Sequence, residues 1–273
     1  MPDLLEINDL VVKYPGRKRG QEFLAVDGVS LSVRAGEVVG LVGESGSGKS
    51  TVGRSVVGLA PISGGSIRFR GTALENTTTK DRRELAKDIQ VVFQDPYSSL
   101  NPAMSIEEIL CEPLRASGVS QAGASAKVAR LLDQVGLPKD SLDRRAREFS
   151  GGQRQRIAIA RALSVKPKLI ICDEPVSALD LTTQAVVLDL MLEIQKNTGV
   201  AYLFISHDLA VVRYMSHRIA VMESGKIVEF GSTEQVSNHP THEYTKRLHL
   251  ATPVADPDVQ SARRAQRLEL VGR

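Results

Sequence analysis

The chain of 273 residues is long enough for one large domain, or for a domain that carries a subdomain. Its hydrophobic content of 42% is ordinary for a folded globular protein, and its net charge of +3 is spread along the chain, which gives no argument for nucleic acid binding. The N-terminus lacks a signal-peptide pattern, and no run approaches the ~18 apolar residues that span a bilayer, so any membrane role is expected to be peripheral.

The first third of the chain predicts short strands on either side of one glycine-rich loop. Apolar and β-branched residues predict strands over residues 4–12, 29–33, 37–42, 66–70 and 89–93. Residues 14–20 are predicted to form a loop, and residues 50–59 a helix. A strand, a glycine-rich loop and a helix are therefore expected to follow one another between residues 37 and 59.

The glycine-rich segment fits the pattern G-x-x-x-x-G-K-[ST] of a phosphate-binding loop. It consists of Gly43, Glu44, Ser45, Gly46, Ser47, Gly48, Lys49, Ser50 and Thr51. Glycines let the backbone curl around a phosphate chain, and successive N–H groups then form an anion site at a helix N-terminus. Lys49 is predicted to reach the β- and γ-phosphates, and the Ser50 hydroxyl is predicted to bind Mg²⁺.

The middle of the chain predicts helices. Residues 94–102 contain several helix breakers and are predicted to form a loop. Ser105 and Glu108 fit a capping box, an amphipathic helix is predicted over residues 126–135, and Ser150 is predicted to begin a further helix. An all-helical insert is therefore expected from about residue 95 to residue 165.

The last third of the chain returns to strands. Residues 168–172 and 200–205 are almost wholly apolar, as expected of strands buried on both faces, and residues 181–196 predict the helix between them. Residues 219–229 predict a hairpin that turns at Ser224 and Gly225. From residue 252 the chain is polar and irregular, although residues 262–270 have the pattern of a helix.

Two acidic residues follow the apolar strand at residues 168–172. In a phosphate-loop site, Asp173 at such a strand end would hold the Mg²⁺ shell, and Glu174 would polarise the attacking water. Solvated acids at a strand end are the alternative, and the phosphate loop elsewhere in the chain disfavours it.

The segment Ser150, Gly151, Gly152 and Gln153 predicts a second phosphate-binding helix terminus, because Ser150 can cap the helix and the glycines leave backbone N–H groups open. A plain helix cap is the alternative. One nucleotide needs one phosphate loop, so a second terminus makes sense if it acts on a nucleotide held by another subunit.

The two cysteines, Cys111 and Cys172, do not have a metal-ligand spacing. Cys172 lies in an apolar strand, where a buried, reduced thiol is expected rather than a disulfide. The phosphate loop, which is typical of enzymes, favours a reducing, cytosolic compartment.

With these motifs in this order, the chain resembles the ATP-binding cassette (ABC) ATPase family over about residues 4–234. Residues 149–153 resemble the family signature, with Phe149 in place of the usual leucine. The resemblance implies that Gln94 joins the core to the helical insert and touches Mg²⁺, that His207 contacts the γ-phosphate, and that Asp180 belongs to a loop crossing a dimer interface. It also implies that Tyr14 stacks on adenine, the alternative being a packed aromatic at a strand end.

The fold that this resemblance implies is an α/β, phosphate-loop (RecA-like) nucleotide-binding domain with an antiparallel β subdomain and an all-helical insert. The expected division is a core with the β subdomain over residues 1–94, a helical subdomain over 95–164, the second part of the core over 165–232 and a C-terminal extension over 233–273. The expected cofactors are ATP and Mg²⁺.

Within the family, the chain is most similar to the importer ATPases for oligopeptides, dipeptides and nickel. The similarity rests on residues 92–102, on residues 148–153, and on His239 and Pro240 with the segment 243–248. It implies a second related cassette as partner in a heterodimer, two integral membrane subunits and an extracytoplasmic binding protein. The expected location is the cytoplasmic face of the plasma membrane. Some members carry a C-terminal cysteine cluster for an iron–sulfur centre, and none is expected here because no cysteine follows Cys172.

Several alternatives stay open. The same machine could move nickel, glutathione or another small solute, because cargo is chosen by other subunits. A soluble ABC-type ATPase that regulates or acts on nucleic acid is disfavoured by the modest charge. For the basic segment Arg17 to Arg19, a solvated loop is the default and contact with anionic lipid headgroups is the alternative.

Overall fold

The computed structural model describes residues 3–16, 21–75 and 77–251. Within these residues the chain forms two compact units, each assembled from segments that are distant in sequence. We call residues 3–33, 38–75 and 204–251 the phosphate-loop unit, and residues 34–37 and 77–203 the helical unit. The basic segment at residues 17–19 and the helix predicted over residues 262–270 lie outside the described residues.

The described strands and helices follow the chain in this order. The strands are β1 (Asp3–Pro15), β2 (Glu22–Arg34), β3 (Val38–Val42), β4 (Gly64–Phe69), β5 (Thr72–Ala73), β6 (Ile89–Val92), β7 (Leu169–Asp173), β8 (Ala201–Ser206), β9 (Arg218–Glu223) and β10 (Lys226–Ser232). The α-helices are α1 (Lys49–Val56), α2 (Thr79–Asp88), α3 (Pro96–Ser99), α4 (Ile106–Ala116), α5 (Gln121–Gln134), α6 (Gly151–Leu163), α7 (Leu181–Thr198), α8 (Leu209–Met215), α9 (Thr233–Asn238) and α10 (Glu243–Ala251). Two 3₁₀ helices cover Lys139–Asp143 and Ala146–Glu148.

The phosphate-loop unit contains an antiparallel sheet in the order β2-β1-β4-β5. Strand β1 pairs with β4 so that Leu5 lies opposite Phe69 and Ile7 opposite Ile67. All four of these side chains are buried, whereas Glu6 between them is not, as expected of strands with one face on the core.

A second set of strands in the same unit carries the phosphate loop. Strand β3 is buried along its whole length and pairs in parallel with β9, which pairs in turn with β10 as an antiparallel hairpin. Strand β8, whose C-terminal half belongs to this unit, is the other neighbour of β3. A continuous apolar strand such as β3 is typical of a position covered on both faces.

In the helical unit, β6 and β7 pair in parallel, and helices α4, α5 and α6 pack on one another. Helix α6 also packs on α3 and on α7. The apolar face of α4 includes Ile109 and Leu110, and that of α5 includes Val128 and Leu132, all buried. None of the helices in the described ranges is both long and apolar enough to cross a lipid bilayer.

The structure confirms the strands predicted on either side of the phosphate loop, the capping box at Ser105, the helix that begins after Ser150, and the hairpin turn at Ser224 and Gly225. Two loop predictions were wrong in part. Residues 14 and 15 belong to β1, whose hairpin with β2 is supported by an ion pair of 2.9 Å between Lys13 and Glu22. Helix α3 lies inside the segment predicted as a loop, and Asp95 caps it.

Candidate functional site

The phosphate loop connects β3 to α1, and its lysine is folded back onto the loop. Lys49 is 4% exposed, and its Nζ donates hydrogen bonds to Gly43 O at 2.8 Å and Glu44 O at 2.7 Å. A longer contact of 3.4 Å joins Nζ to Ser47 Oγ. The positive charge is therefore held at the centre of the loop, where an anionic ligand of the loop would be expected.

Two glycines of the loop stand where no side chain fits. A Cβ at Gly43 would collide with the carbonyl oxygen of Met222 on β9, and a Cβ at Gly48 would collide with that of Ala25 on β2. Gly48 also has a positive φ of 105° and caps α1 without a side-chain hydrogen bond. The loop backbone is therefore packed directly against β9 and β2 at these two positions, and Ser50 follows in the first turn of α1.

The other predicted residues of the phosphate-loop unit lie at strand ends. Tyr14 is half-buried near the end of β1, and His207 is exposed directly after β8. The position of His207 is set by its neighbours, because Asp208 caps α8 and the Asp208 N–H donates to Ser206 Oγ at 3.0 Å. The phosphate loop and His207 thus follow two neighbouring strands of one sheet.

In the helical unit, β7 ends in the predicted acidic pair. Asp173 is its last residue and is 7% exposed, while Glu174 is half-buried and has a left-handed backbone with φ of 49°. The Glu174 carbonyl accepts hydrogen bonds from Ser177, from N–H at 3.3 Å and from Oγ at 3.2 Å. A non-glycine residue in this conformation costs about 1–3 kcal/mol, and such residues cluster at functional sites.

The signature segment begins α6 in the predicted manner. The Gln153 N–H donates to Ser150 Oγ at 3.3 Å, and the Ser150 N–H donates to Gln153 Oε1 at 3.0 Å, which completes a capping box. These two side chains therefore hold each other in place at the start of the helix, and Gly151 and Gly152 add no side chain to this terminus.

Asp180 is connected to the signature segment through one residue, Thr183. Asp180 caps α7 and accepts hydrogen bonds from Thr183 N at 3.0 Å and Oγ1 at 2.6 Å. The hydroxyl bond, with the backbone bond, lowers the pKa of Asp180 below its usual value. A Cβ at Gly152 would collide with the Thr183 methyl group, so α6 and the start of α7 are in close contact.

Gln94 is exposed and lies just after β6, in front of α3. Helix α3 is fastened to α6 by two arginines. Arg154 places its guanidinium carbon 4.2 Å from the centre of the Tyr97 ring, and Arg161 Nη1 donates to Ser99 O at 2.7 Å. The segment after Gln94 and the signature helix are thus held together within the helical unit.

The residues expected to bind Mg²⁺ all offer oxygen. Ser50 in α1 and Asp173 at the end of β7 carry a hydroxyl and a carboxylate, whose oxygens are donors that Mg²⁺ prefers. Among the described residues no group of three or more His, Cys, Asp or Glu side chains is placed to hold a metal ion alone. A hydroxyl and a carboxylate suit a Mg²⁺ ion that also binds phosphate oxygens and water.

Sequence reasoning did not find one contact of the phosphate loop. The Glu44 N–H donates to the hydroxyl of Tyr244 in α10, 200 residues later in the chain, at 3.0 Å. In the sequence, the segment around Tyr244 shows only a similarity to the C-terminal region of the importer ATPases. No local pattern signals its contact with the loop.

Comparison with known proteins places the chain in a family. The sequence pattern of the family described as ABC transporter matches residues 26–177. An oligopeptide transport ATP-binding protein, OppF of Lactococcus lactis, is 48% identical over 99% of this chain and 86% of its own length. OppD of Mycobacterium tuberculosis is 50% identical over 86% of this chain and 39% of its own length. The glutathione import ATP-binding protein GsiA of Salmonella typhimurium is 46% identical over 96% of this chain and 43% of its own length.

Solved structures agree with this placement. The cbiO1 protein of Clostridium perfringens, described as part of an ABC transporter complex, has a TM-score of 0.77 at 26% identity, covering 88% of this chain and 92% of its own. A dimeric ATP-binding cassette in a post-hydrolysis state, bound to ADP and Pi, has a TM-score of 0.75 at 25% identity. The match covers 84% of this chain and 98% of that cassette. The similarity extends over most of each chain, so it concerns the fold as a whole.

Proposed function

Because this chain belongs to the ABC transporter family of ATP-hydrolysing cassettes, we propose that it is the ATPase subunit of an importer that takes up oligopeptides or dipeptides. The observation that carries the proposal is the 48% identity, nearly end to end, with a protein named for oligopeptide transport. A second candidate cargo is glutathione, favoured by the 46% identity with a glutathione import protein.

ATP is proposed to bind along the phosphate loop. Residues 43–51 would hold the phosphates, Lys49 would exchange its carbonyl partners for β- and γ-phosphate oxygens, and Tyr14 would stack on adenine. The position of Lys49 supports this, since its charge is already buried within the loop. The close packing of Gly43 on Met222 and of Gly48 on Ala25 supports it as well, because it fixes the backbone at both ends of the loop.

The residues proposed for hydrolysis are Glu174 and His207. Glu174 would orient and polarise the water that attacks the γ-phosphate, and His207 would contact the γ-phosphate. Ser50, Gln94 and Asp173, the last through water, would hold Mg²⁺, which neutralises phosphate charge when bound. The left-handed backbone of Glu174 supports this role, because residues in this strained conformation cluster at active sites.

The signature segment is proposed to act on ATP held by a partner cassette. Ser150, Gly151, Gly152 and Gln153 would present the N-terminus of α6 to that nucleotide, and Asp180 would lie in the same interface. The shared contact of Gly152 and Asp180 with Thr183 supports a common role for both segments. The partner would be a second, related cassette, in a heterodimer.

Coupling to transport is proposed to pass through the segment after Gln94. Closure of the cassettes would move α6, and the two arginine contacts described above would carry α3 with it. Residues 95–105 would then act on two integral membrane subunits, which receive cargo from an extracytoplasmic binding protein. The proposed site of action is the cytoplasmic face of the plasma membrane, without nucleic acid as a partner.

The test compares two substitutions in purified protein with Mg²⁺ and ATP. Glu174→Gln should lower turnover by about 10²-fold or more while ATP binding persists, because the amide cannot polarise water. Lys49→Ala is the matched variant and should weaken ATP binding itself. Near-normal turnover in Glu174→Gln would remove Glu174 from the catalytic role, and a wild-type protein that neither binds nor hydrolyses ATP would refute the proposed function.

A further inference from the structure

The C-terminal helix α10 is in direct contact with the phosphate loop. Tyr244, the second residue of α10, is 4% exposed, and its hydroxyl accepts the hydrogen bond of 3.0 Å from the Glu44 N–H. We propose that Tyr244 is a positioning residue of the ATPase, whose hydroxyl fixes the first peptide of the phosphate loop and so sets the affinity of the loop for ATP. This inference rests on the proposed binding of ATP at that loop.

The hydroxyl of Tyr244 and the lysine of the loop hold the two ends of one peptide unit. The peptide between Gly43 and Glu44 gives its N–H to Tyr244 and its carbonyl oxygen, Gly43 O, to Lys49 Nζ at 2.8 Å. A peptide group is planar, so restraining its N–H also restrains the direction of its C=O. Tyr244 therefore helps to determine where Gly43 O places the ammonium group of Lys49.

The importance of this restraint increases when a nucleotide binds. If Lys49 turns to the phosphates, the carbonyls of Gly43 and Glu44 lose hydrogen bonds from its ammonium group. The bond from Glu44 N–H to Tyr244 does not involve the lysine, so it can persist in both states. It then keeps the start of the loop in the conformation that the phosphates require, which is a form of preorganisation.

The residues just before Tyr244 are held by a buried carboxylate. Glu229 of β10 is 8% exposed and accepts hydrogen bonds from Thr241 N at 2.8 Å, Thr241 Oγ1 at 3.0 Å and His242 N at 3.2 Å. Burial alone would raise the pKa of Glu229, but the hydrogen bonds from Thr241 and His242 lower it overall, so the carboxylate stays charged at neutral pH. The residues just before α10 are thereby anchored to the hairpin β9–β10.

The same hairpin forms one wall of the phosphate loop. Met222 of β9 supplies the carbonyl that excludes a side chain at Gly43, and the adjacent Glu223 pairs with Arg247 of α10 at 3.4 Å. Burial raises the pKa of Tyr244, so its hydroxyl is neutral at physiological pH. Helix α10, the hairpin and the loop thus form one connected assembly within the phosphate-loop unit.

A purely structural role for Tyr244 predicts a different result from a positioning role, and the substitution Tyr244→Phe separates them. It removes the hydroxyl and keeps the ring. Tyr202→Phe is the matched control, because Tyr202 is equally buried and its hydroxyl donates to a backbone carbonyl, Met191 O, in the helical unit. Both variants of the full chain are measured by thermal melting and by calorimetric titration with Mg·ATP.

We expect Tyr244→Phe to weaken Mg·ATP binding by roughly fivefold, because the released start of the loop must then be ordered when the nucleotide binds, and Tyr202→Phe to leave it unchanged. At saturating ATP, kcat should stay within about twofold of wild type, since no group that touches the reacting atoms is removed. Hydrogen exchange provides a readout without nucleotide, because the amide of Glu44 should lose protection in Tyr244→Phe only.

Unchanged Mg·ATP affinity in Tyr244→Phe, in a protein whose wild type binds Mg·ATP, would overturn the inference and leave the proposed function intact. An equal loss of affinity in Tyr202→Phe would also overturn it, since the effect would then follow from lost stability. If the wild type does not bind Mg·ATP, the proposed function fails first, so the two failures are distinguishable.

Discussion

At the scale of single residues, the sequence identified the acidic pair at the end of β7 but not the strain at Glu174. The pattern of an apolar strand followed by two acids is local, so it can be found in the sequence. The φ of 49° at Glu174 depends on the turn that follows, in which Ser177 donates two hydrogen bonds to the Glu174 carbonyl. Such a turn leaves no distinct signal in the residues themselves.

This strain leads to a prediction about stability. A left-handed backbone costs a non-glycine residue about 1–3 kcal/mol, whereas glycine avoids that cost but loses about 0.4–1 kcal/mol through the greater entropy of its unfolded chain. We therefore expect Glu174→Gly to be more stable than Glu174→Ala by about 0.5–1 kcal/mol, the reverse of the usual order. Because both variants lack the carboxylate, the difference between their stabilities reports the backbone conformation and no contact of the Glu174 carboxylate.

The measurement is chemical denaturation of both variants, with turnover recorded alongside. Both should lack ATPase activity, because neither has a group to polarise water at this position. A Glu174→Ala variant at least as stable as Glu174→Gly would contradict the account of a strained turn.

Tyr244 shows the limit of sequence reasoning at this scale. Its contact joins residues 200 positions apart, and neither Glu44 nor Tyr244 is unusual for its own element. The chemistry of the phosphate loop could be predicted because all of its groups lie within nine residues of sequence. The contact between the loop and α10 depends on tertiary structure, so it could not be predicted from the sequence.

At the scale of elements, predictions were right where hydrophobic periodicity or a cap marked the element. The start of α6 was predicted from Ser150 and its glycines. Helix α2 was missed because none of its residues is buried, and so it has no apolar periodicity for the sequence to show. Helices α8 and α9 have seven and six residues, too few for a period of 3.6 to be recognised.

The packing of α6 on α7 predicts that substitutions at Gly152 and Thr183 affect stability together rather than independently. Gly152→Ala should destabilise the protein by about 1–3 kcal/mol, because its Cβ would overlap the methyl group of Thr183. Thr183→Ser removes that methyl group and keeps the hydroxyl that Asp180 binds. The double variant should therefore recover most of the loss, which gives a coupling of about 1 kcal/mol or more in a double-mutant cycle.

Denaturation of the wild type, the two single variants and the double variant measures this coupling. Additive effects would show that the two helices do not meet at these side chains. Thr183→Ser alone should lower the free energy of unfolding only slightly, because the serine hydroxyl keeps the cap of α7.

At the scale of the whole molecule, the order of motifs was predictable and the assembly of the units was not. Each motif is a short segment, so its position in the chain could be predicted without knowledge of its neighbours. The units depend on pairings between distant segments, such as β3 with β9, where Val39 lies opposite Arg218. No pattern in either strand specifies its partner, because both are apolar throughout their buried length. The four-segment division proposed from the sequence stays a prediction.

The last prediction concerns what the molecule assembles with. Leu181 is 84% exposed and directly follows Asp180, and Tyr97 is 56% exposed in the segment proposed to contact membrane subunits. Large exposed apolar side chains at two proposed interfaces are expected to be covered in the complete transporter. We expect protein with an N-terminal tag, extracted gently from native membranes with Mg²⁺ and ATP, to bring down a second cassette and multi-spanning proteins.

Leu181→Arg tests the cassette interface separately. Because Leu181 is exposed, the substitution should leave folding nearly unchanged, within about 0.5 kcal/mol, yet it places a charge where the partner cassette would pack. Recovery of the second cassette should therefore fall while the melting temperature does not. If the wild-type protein is recovered alone or with nucleic acid, the transporter proposal fails and the ATPase activity stands. If a binding protein is recovered, titrating it with peptides, glutathione and nickel identifies the cargo.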